Sequence, residues 1–216
     1  MIAFRSRPSF RSLRSKLALA TAILCVATLA GCGLPLPGQG EAPKLFTLSP
    51  KSTFDQALPR ADWQLVVDIP VAAGGLNTNR IALQTKPIEM QYYALAQWTE
   101  TAPQMVQTLL VESFENTGKI VAVGRQAIGL RSDFNLKSEL REFQAEYLAG
   151  AKVPTIRVRV NAKVIRQPQR TIIASRNFEH RVVSGGSGMD DVVVAFDEAL
   201  GKVLKEIVEW TLSNTS

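Results

Sequence analysis

The chain has 216 residues, with 25 Lys and Arg, 19 Asp and Glu and a single His, a formal net charge of +6. Five of the cations and none of the acids fall in residues 1–31, so the remainder holds 20 basic against 19 acidic groups, or +1. That balance gives little support for nucleic-acid binding, which needs a clustered basic face.

The first 31 residues read as an address rather than as structure. Arg5, Arg7, Arg11, Arg14 and Lys16 form a basic start. Leu17 to Ala30 follows as a fourteen-residue run interrupted only by Thr21 and Thr28, too short for the ~20 residues that cross a bilayer. The run ends in Leu29-Ala30-Gly31-Cys32, which resembles the bacterial lipobox. The expectation is therefore cleavage between Gly31 and Cys32, with Cys32 carrying a diacylglycerol and an acyl chain such as palmitate. Cys25 leaves with the signal and the Cys32 sulfur becomes a thioether, so no disulfide is expected and a hydrophobic core must hold the fold. Residues 32–43 are rich in Pro and Gly (GLPLPGQGEAP after the cysteine) and read as a lipidated flexible tether. Residues 44–216 are expected to form one domain.

In chain order, Lys44 to Ser49 is a short strand candidate. Trp63 to Val71 alternates Trp63, Leu65, Val67, Ile69 and Val71 with polar residues or Pro70, the period of a sheet. Arg80 to Gln84 and Met90 to Trp98 are two further strands around Thr85-Lys86-Pro87. Met90, Tyr92, Ala94, Ala96 and Trp98 are expected on one face, read as core in preference to a lipid groove. Thr101 and Gln104 have capping-box spacing before Val106, Leu109, Leu110 and Phe114, which predicts a helix stopped by Gly118. Ile120 to Gly124 returns as a strand, and Phe134 to Leu140 is another. The run from Glu142 to Leu148 has no period that assigns its type.

Pro154 to Ser184 predicts a hairpin: Ile156, Val158, Val160, Ala162 and Val164 alternate with Arg157, Arg159, Asn161 and Lys163, and Gln167-Pro168-Gln169 turns the chain. Asp190 to Leu212 predicts an amphipathic helix with Val192, Phe196, Leu200, Val203, Ile207 and Trp210 on one stripe and Ser187 as N-cap. Two one-sided helices beside one-sided strands imply an α+β two-layer sandwich, a mostly antiparallel sheet with two main helices packed on it.

The search for chemistry returns little. His180 shares a strand face with Ile172, Ala174, Phe178 and Val182, and no Ser or Cys motif accompanies it. Asp190-Asp191 suits a helix N-terminus better than a metal. Gly185-Gly186-Ser187-Gly188 lacks the Lys of a phosphate loop, and Met189 breaks G-x-S-x-G. Arg157, Arg159 and Lys163 read as the wet face of a sheet, with anionic headgroups or an acidic partner as the alternative. The reading is a non-enzyme with no cofactor, no metal and no nucleic acid.

Taken together, several of these segments resemble one family. Leu45-Phe46-Thr47-Leu48-Ser49-Pro50, then Asn79-Arg80-Ile81, then Tyr92, Tyr93 and Trp98 before a helix are similar to the ABC-type transport auxiliary lipoproteins. Phe134, Glu139-Leu140 with Phe143, the Arg170 to Phe178 strand and a last helix ending in Glu209-Trp210 complete the resemblance. Ala96-Gln97 stand where the family carries an aromatic residue and Arg. The resemblance implies a docking lipoprotein of an MCE-type ABC transporter that moves lipids between inner and outer membranes, with the MCE protein, permease and ATPase as separate partner chains. Gly33 after the cysteine implies the periplasmic face of the outer membrane. Self-association is left open, and a lipoprotein regulator of a periplasmic cell-wall enzyme is the alternative reading.

Overall fold

Hydrophobic alternation and turn chemistry resolve, in a computed structural model, into a mixed sheet covered on one face by two helices. The structure describes residues 41–54, 57–125 and 131–215. In chain order the elements are β1 (Lys44–Phe46), β2 (Ala61–Val67), β3 (Val71–Ala72), β4 (Arg80–Lys86), β5 (Glu89–Trp98), α1 (Ala102–Asn116), β6 (Ile120–Arg125), β7 (Phe134–Glu146), β8 (Thr155–Arg166), β9 (Thr171–Val183) and α2 (Met189–Asn214). A single 3₁₀ turn, Leu148–Gly150, separates β7 from β8.

The long strand β7 is the spine. Along one edge it takes β2 against Phe134–Leu136, β3 against Glu139–Leu140 and β4 against Gln144–Glu146, all parallel. Along the other edge lie β8 and then β9, both antiparallel. β6 extends β2 in parallel, β5 pairs antiparallel with β4, and β1 lies parallel on β5. Among the described residues five of the eight pairings are parallel, so the sheet is mixed and the expectation of a mostly antiparallel one is corrected. The reason is physical: period-2 alternation reports which face is buried and says nothing about the direction of the neighbour. Direction was readable only where a short turn forces it, at β4–β5 and β8–β9.

One bulge explains the unassigned stretch after Leu140. Leu140 pairs with Val160 and Glu142 with Arg159, so two steps along β7 match one step along β8. Arg141 is the extra residue and it reverses the parity. Phe134, Leu136, Ser138 and Leu140 face the helices before it, and Phe143 and Ala145 after it. The Trp63 to Val71 strand likewise divides at Ile69-Pro70, where proline has no N–H to give a ladder.

A second register break divides the β5 face. Arg80 pairs with Gln97 and Ala82 with Tyr92, five residues of β5 against two of β4. The odd offset turns the strand over. Ala96 and Trp98 are core, whereas Met90 and Ala94 are exposed and Tyr92 is half-buried.

The core lies between sheet and helices. Ile156, Val158, Val160, Ala162 and Val164 of β8 are each 0% exposed and meet Phe196, Leu200, Val203 and Ile207 of α2 in one cluster. Trp98, Phe143 and Phe196 form an aromatic triangle with ring centres 5.1–5.6 Å apart. Trp210 stacks edge-on against Phe178 at 5.4 Å. The connection from β1 to β2 ties both helices: the Ser49 N–H donates to Asp197 at 2.6 Å and the Lys51 N–H to Ser113 at 2.9 Å. Helix α1 begins at Ala102 with Pro103 in its first turn, but Thr101 donates to the Gln104 side chain at 2.9 Å instead of capping a backbone N–H. Gly118, at φ +60°, closes it as expected. Helix α2 is capped by Gly188, one residue later than the expected Ser187.

Candidate functional surfaces

Gly31 and Cys32, the expected cleavage and lipidation positions, lie outside the described residues, as does most of the tether. What the structure places are the side chains on the sheet face turned away from the helices, the single histidine and several surface depressions.

The basic stripe of β8 is matched by acids. Because Arg141 reverses β7, Glu142, Gln144 and Glu146 come to the outer face beside Arg157 and Arg159. Arg157 reaches Glu179 at 2.8 Å, Glu146 at 3.5 Å and Glu142 at 3.7 Å. Arg159 bonds to Glu142, and Lys163 and Arg141 meet Glu139 at 3.5 and 2.7 Å. Arg181 completes the ladder against Glu179 and Glu146. The Glu146 side chain is only 4% exposed, a burial a carboxylate tolerates when it is paired and hydrogen-bonded. The hydrogen bond from Arg157 holds the Glu179 carboxyl below its ordinary range. Arg141, Arg157, Arg159, Lys163 and Arg181 face Glu139, Glu142, Glu146 and Glu179, so pairing leaves this ladder a surplus of one positive charge.

His180 sits opposite Val158 in β9 and meets α2: its Nε2 lies 2.8 Å from Glu206 Oε1. It ties the edge strand to the helix. Among the described residues no group of three or more His, Cys, Asp or Glu is placed to hold a metal ion. Asp190 and Asp191 stand in the first turn of α2, and the Asp191 carboxylate folds back onto Gly186, where a Cβ would collide with it. The glycine run therefore serves the packing of a helix start.

Two of the surface depressions have linings that bear on function. Leu83, Thr85, Tyr93, Tyr147 and Ala151 line an open one of about 450 Å³, in which the two phenol oxygens stand 2.9 Å apart. Burial, reinforced by the Tyr147 hydroxyl, raises the Tyr93 phenol above its usual range. The other, about 650 Å³, lies on the outer face where β2, β7 and the β8–β9 turn meet, and is lined by Asp68, Arg131, Asn135, Lys137 and Arg170. Sequence reading missed this second one because its residues come from three separate segments, 66–68, 131–137 and 165–170. Only the sheet register brings them together.

The described residues thus form a mixed sheet under two helices, with an ion-paired outer face. Comparison with known proteins supplies the class. Residues 46–208 match the family described as the ABC-type transport auxiliary lipoprotein component. A crystal structure from Xanthomonas campestris, of a DUF330-family protein, is 34% identical, with a TM-score of 0.74 over 79% of this chain and 95% of that one. A crystal structure of an uncharacterised protein, 17% identical, shares the fold with a TM-score of 0.60 over 79% of this chain and 99% of that one. An uncharacterised protein of Bradyrhizobium diazoefficiens is 25% identical over 191 residues, 85% of this chain. The chain spans about half (49%) of the length of that curated relative.

This chain belongs to the ABC-type transport auxiliary lipoprotein family. The family's description is of a lipoprotein component with an auxiliary role in ABC-type transport. Among the described residues no helix is long and apolar enough to cross a membrane.

Proposed function

We propose that this chain is the lipid-anchored, non-catalytic docking subunit of an MCE-type ABC transporter moving lipids between the inner and outer membranes. The family match across residues 46–208, directly downstream of a lipobox-like Leu29-Ala30-Gly31-Cys32, carries the reading. In it, Cys32 holds the acyl chains, residues 33–43 supply reach, and the sheet-and-helix domain meets the MCE protein, permease or ATPase. The domain needs no cofactor for that role. Gly33, where enterobacterial retention uses Asp, directs the protein to the outer membrane.

Affinity purification of the full-length protein from native membranes tests this. Transporter subunits should co-purify, and the protein should band with outer membrane on a density gradient. Cys32→Ala should abolish palmitate labelling and leave a longer precursor. Labelling of that variant at the parent level, or recovery of a peptidoglycan synthase in place of every transporter subunit, contradicts the reading.

A further inference from the structure

The larger outer-face depression has a chemistry different from the ion ladder beside it. Lys137 comes from β7, Arg131 from the segment before it, Arg170 from the β8–β9 turn and Asp68 from the end of β2. Two acids share the depression, Asp68, 3.5 Å from Lys137, and Asp133, which accepts the Gln64 backbone N–H at 2.8 Å, so three cations stand against two carboxylates. Neither Arg131 nor Arg170 has a carboxylate within 4 Å among the described residues. The Asn135 side-chain oxygen accepts from Ser132 at 2.8 Å, which leaves its amide hydrogens for another acceptor.

Arg170 also sits at φ +56°, a backbone region that glycine or asparagine enters easily and a long side chain rarely does. No ion pair or hydrogen bond of its side chain in the described structure accounts for an arginine there. A ligand does. Two guanidinium forks, an ammonium and an amide on one open cavity of about 650 Å³ suit an anion that presents several oxygens at once.

We propose that this groove binds a phosphate-bearing anion, with Arg131 and Arg170 as bidentate donors, Lys137 as a point charge and Asn135 as an amide donor. The phosphate belongs to a free ester or to a lipid headgroup, two sources with the same recognition chemistry. The site does not depend on the lipid anchor or on the transporter partner, so the proposal stands or falls separately from them.

The test is calorimetric titration of the full-length protein in dodecyl maltoside with sodium phosphate, glycerol 3-phosphate and dihexanoylphosphatidylglycerol, at matched ionic strength. Saturable binding of at least one probe is expected. Preference for the lipid over glycerol 3-phosphate identifies a headgroup, and the reverse identifies a free ester. Arg170→Gly should bind about tenfold or more weakly, yet melt at or above the parent temperature, because glycine relaxes the turn. Arg131→Gln should weaken binding similarly, and it decides the matter if Arg170→Gly melts lower. No saturable binding of any probe into the millimolar range, or unchanged affinity in Arg131→Gln, overturns the proposal.

Discussion

Leu200 is wholly buried on the sheet-facing side of α2, while Lys202, two residues on, points outward and pairs with Glu198 at 2.7 Å. Leu200→Ala should therefore cost on the order of 2–5 kcal/mol in a urea unfolding experiment, and Lys202→Ala about 0.5 kcal/mol or less. Similar melting of the two variants would mean the helix phase is wrong. The same reasoning applies to charge. Glu179, its pKa lowered chiefly by Arg157, stabilises the fold above the unfolded carboxylate value and loses that contribution as pH falls through its folded value. Glu179→Gln should be less stable than the parent at pH 7 by roughly 1 kcal/mol. The gap should close below about pH 4, read from unfolding curves at several pH values. Buried aliphatics such as Val158 and Leu200 were legible because burial writes a period into the sequence. The partners of His180 and Arg157 were not, because the spacing within one strand does not show which side chain lies across from it.

Elements were legible wherever their own pattern was unbroken. The helices came through with small shifts at their ends, and β4–β5 and β8–β9 were legible as antiparallel hairpins, each with a register shift inside it. The pattern failed at Arg141 and between Arg80 and Ala82, where register breaks exchange the two faces of a strand. A bulge has no obligatory residue type, so alternation simply appears to stop. Two glycines with the same open surroundings separate backbone from packing. Gly118 lies at φ +60° after α1, and Gly201 lies inside α2, each with nothing within 4 Å of where a Cβ would stand. Gly118→Ala should destabilise by about 1 kcal/mol. Gly201→Ala should stabilise by roughly 0.5–1 kcal/mol, because only helix propensity and chain entropy change there. Thermal or chemical denaturation checks both, and equal signs would contradict the conformations assigned.

At the scale of the whole molecule, the sequence conveyed two layers better than it conveyed the sheet. Direction of strands depends on long connections, such as those that lay β2, β3 and β4 in turn along one edge of β7, and these leave no periodic trace. In the proposed arrangement residues 32–43 give a reach of up to about 40 Å from the membrane at ~3.3 Å per extended residue. Deleting Gly33 to Pro43 should impair function in cells, scored by complementation of a strain lacking the gene, while binding in solution stays intact. A tethered domain also meets its partner at a raised effective concentration, so a micromolar intrinsic affinity is sufficient. The most direct measurement is therefore binding of residues 44–216, made without the lipid, to an MCE protein from the same organism. The account predicts saturable binding with a micromolar Kd, unchanged by His180→Ala. No saturable binding up to about 1 mM, where the free energy falls near −4 kcal/mol, would contradict it.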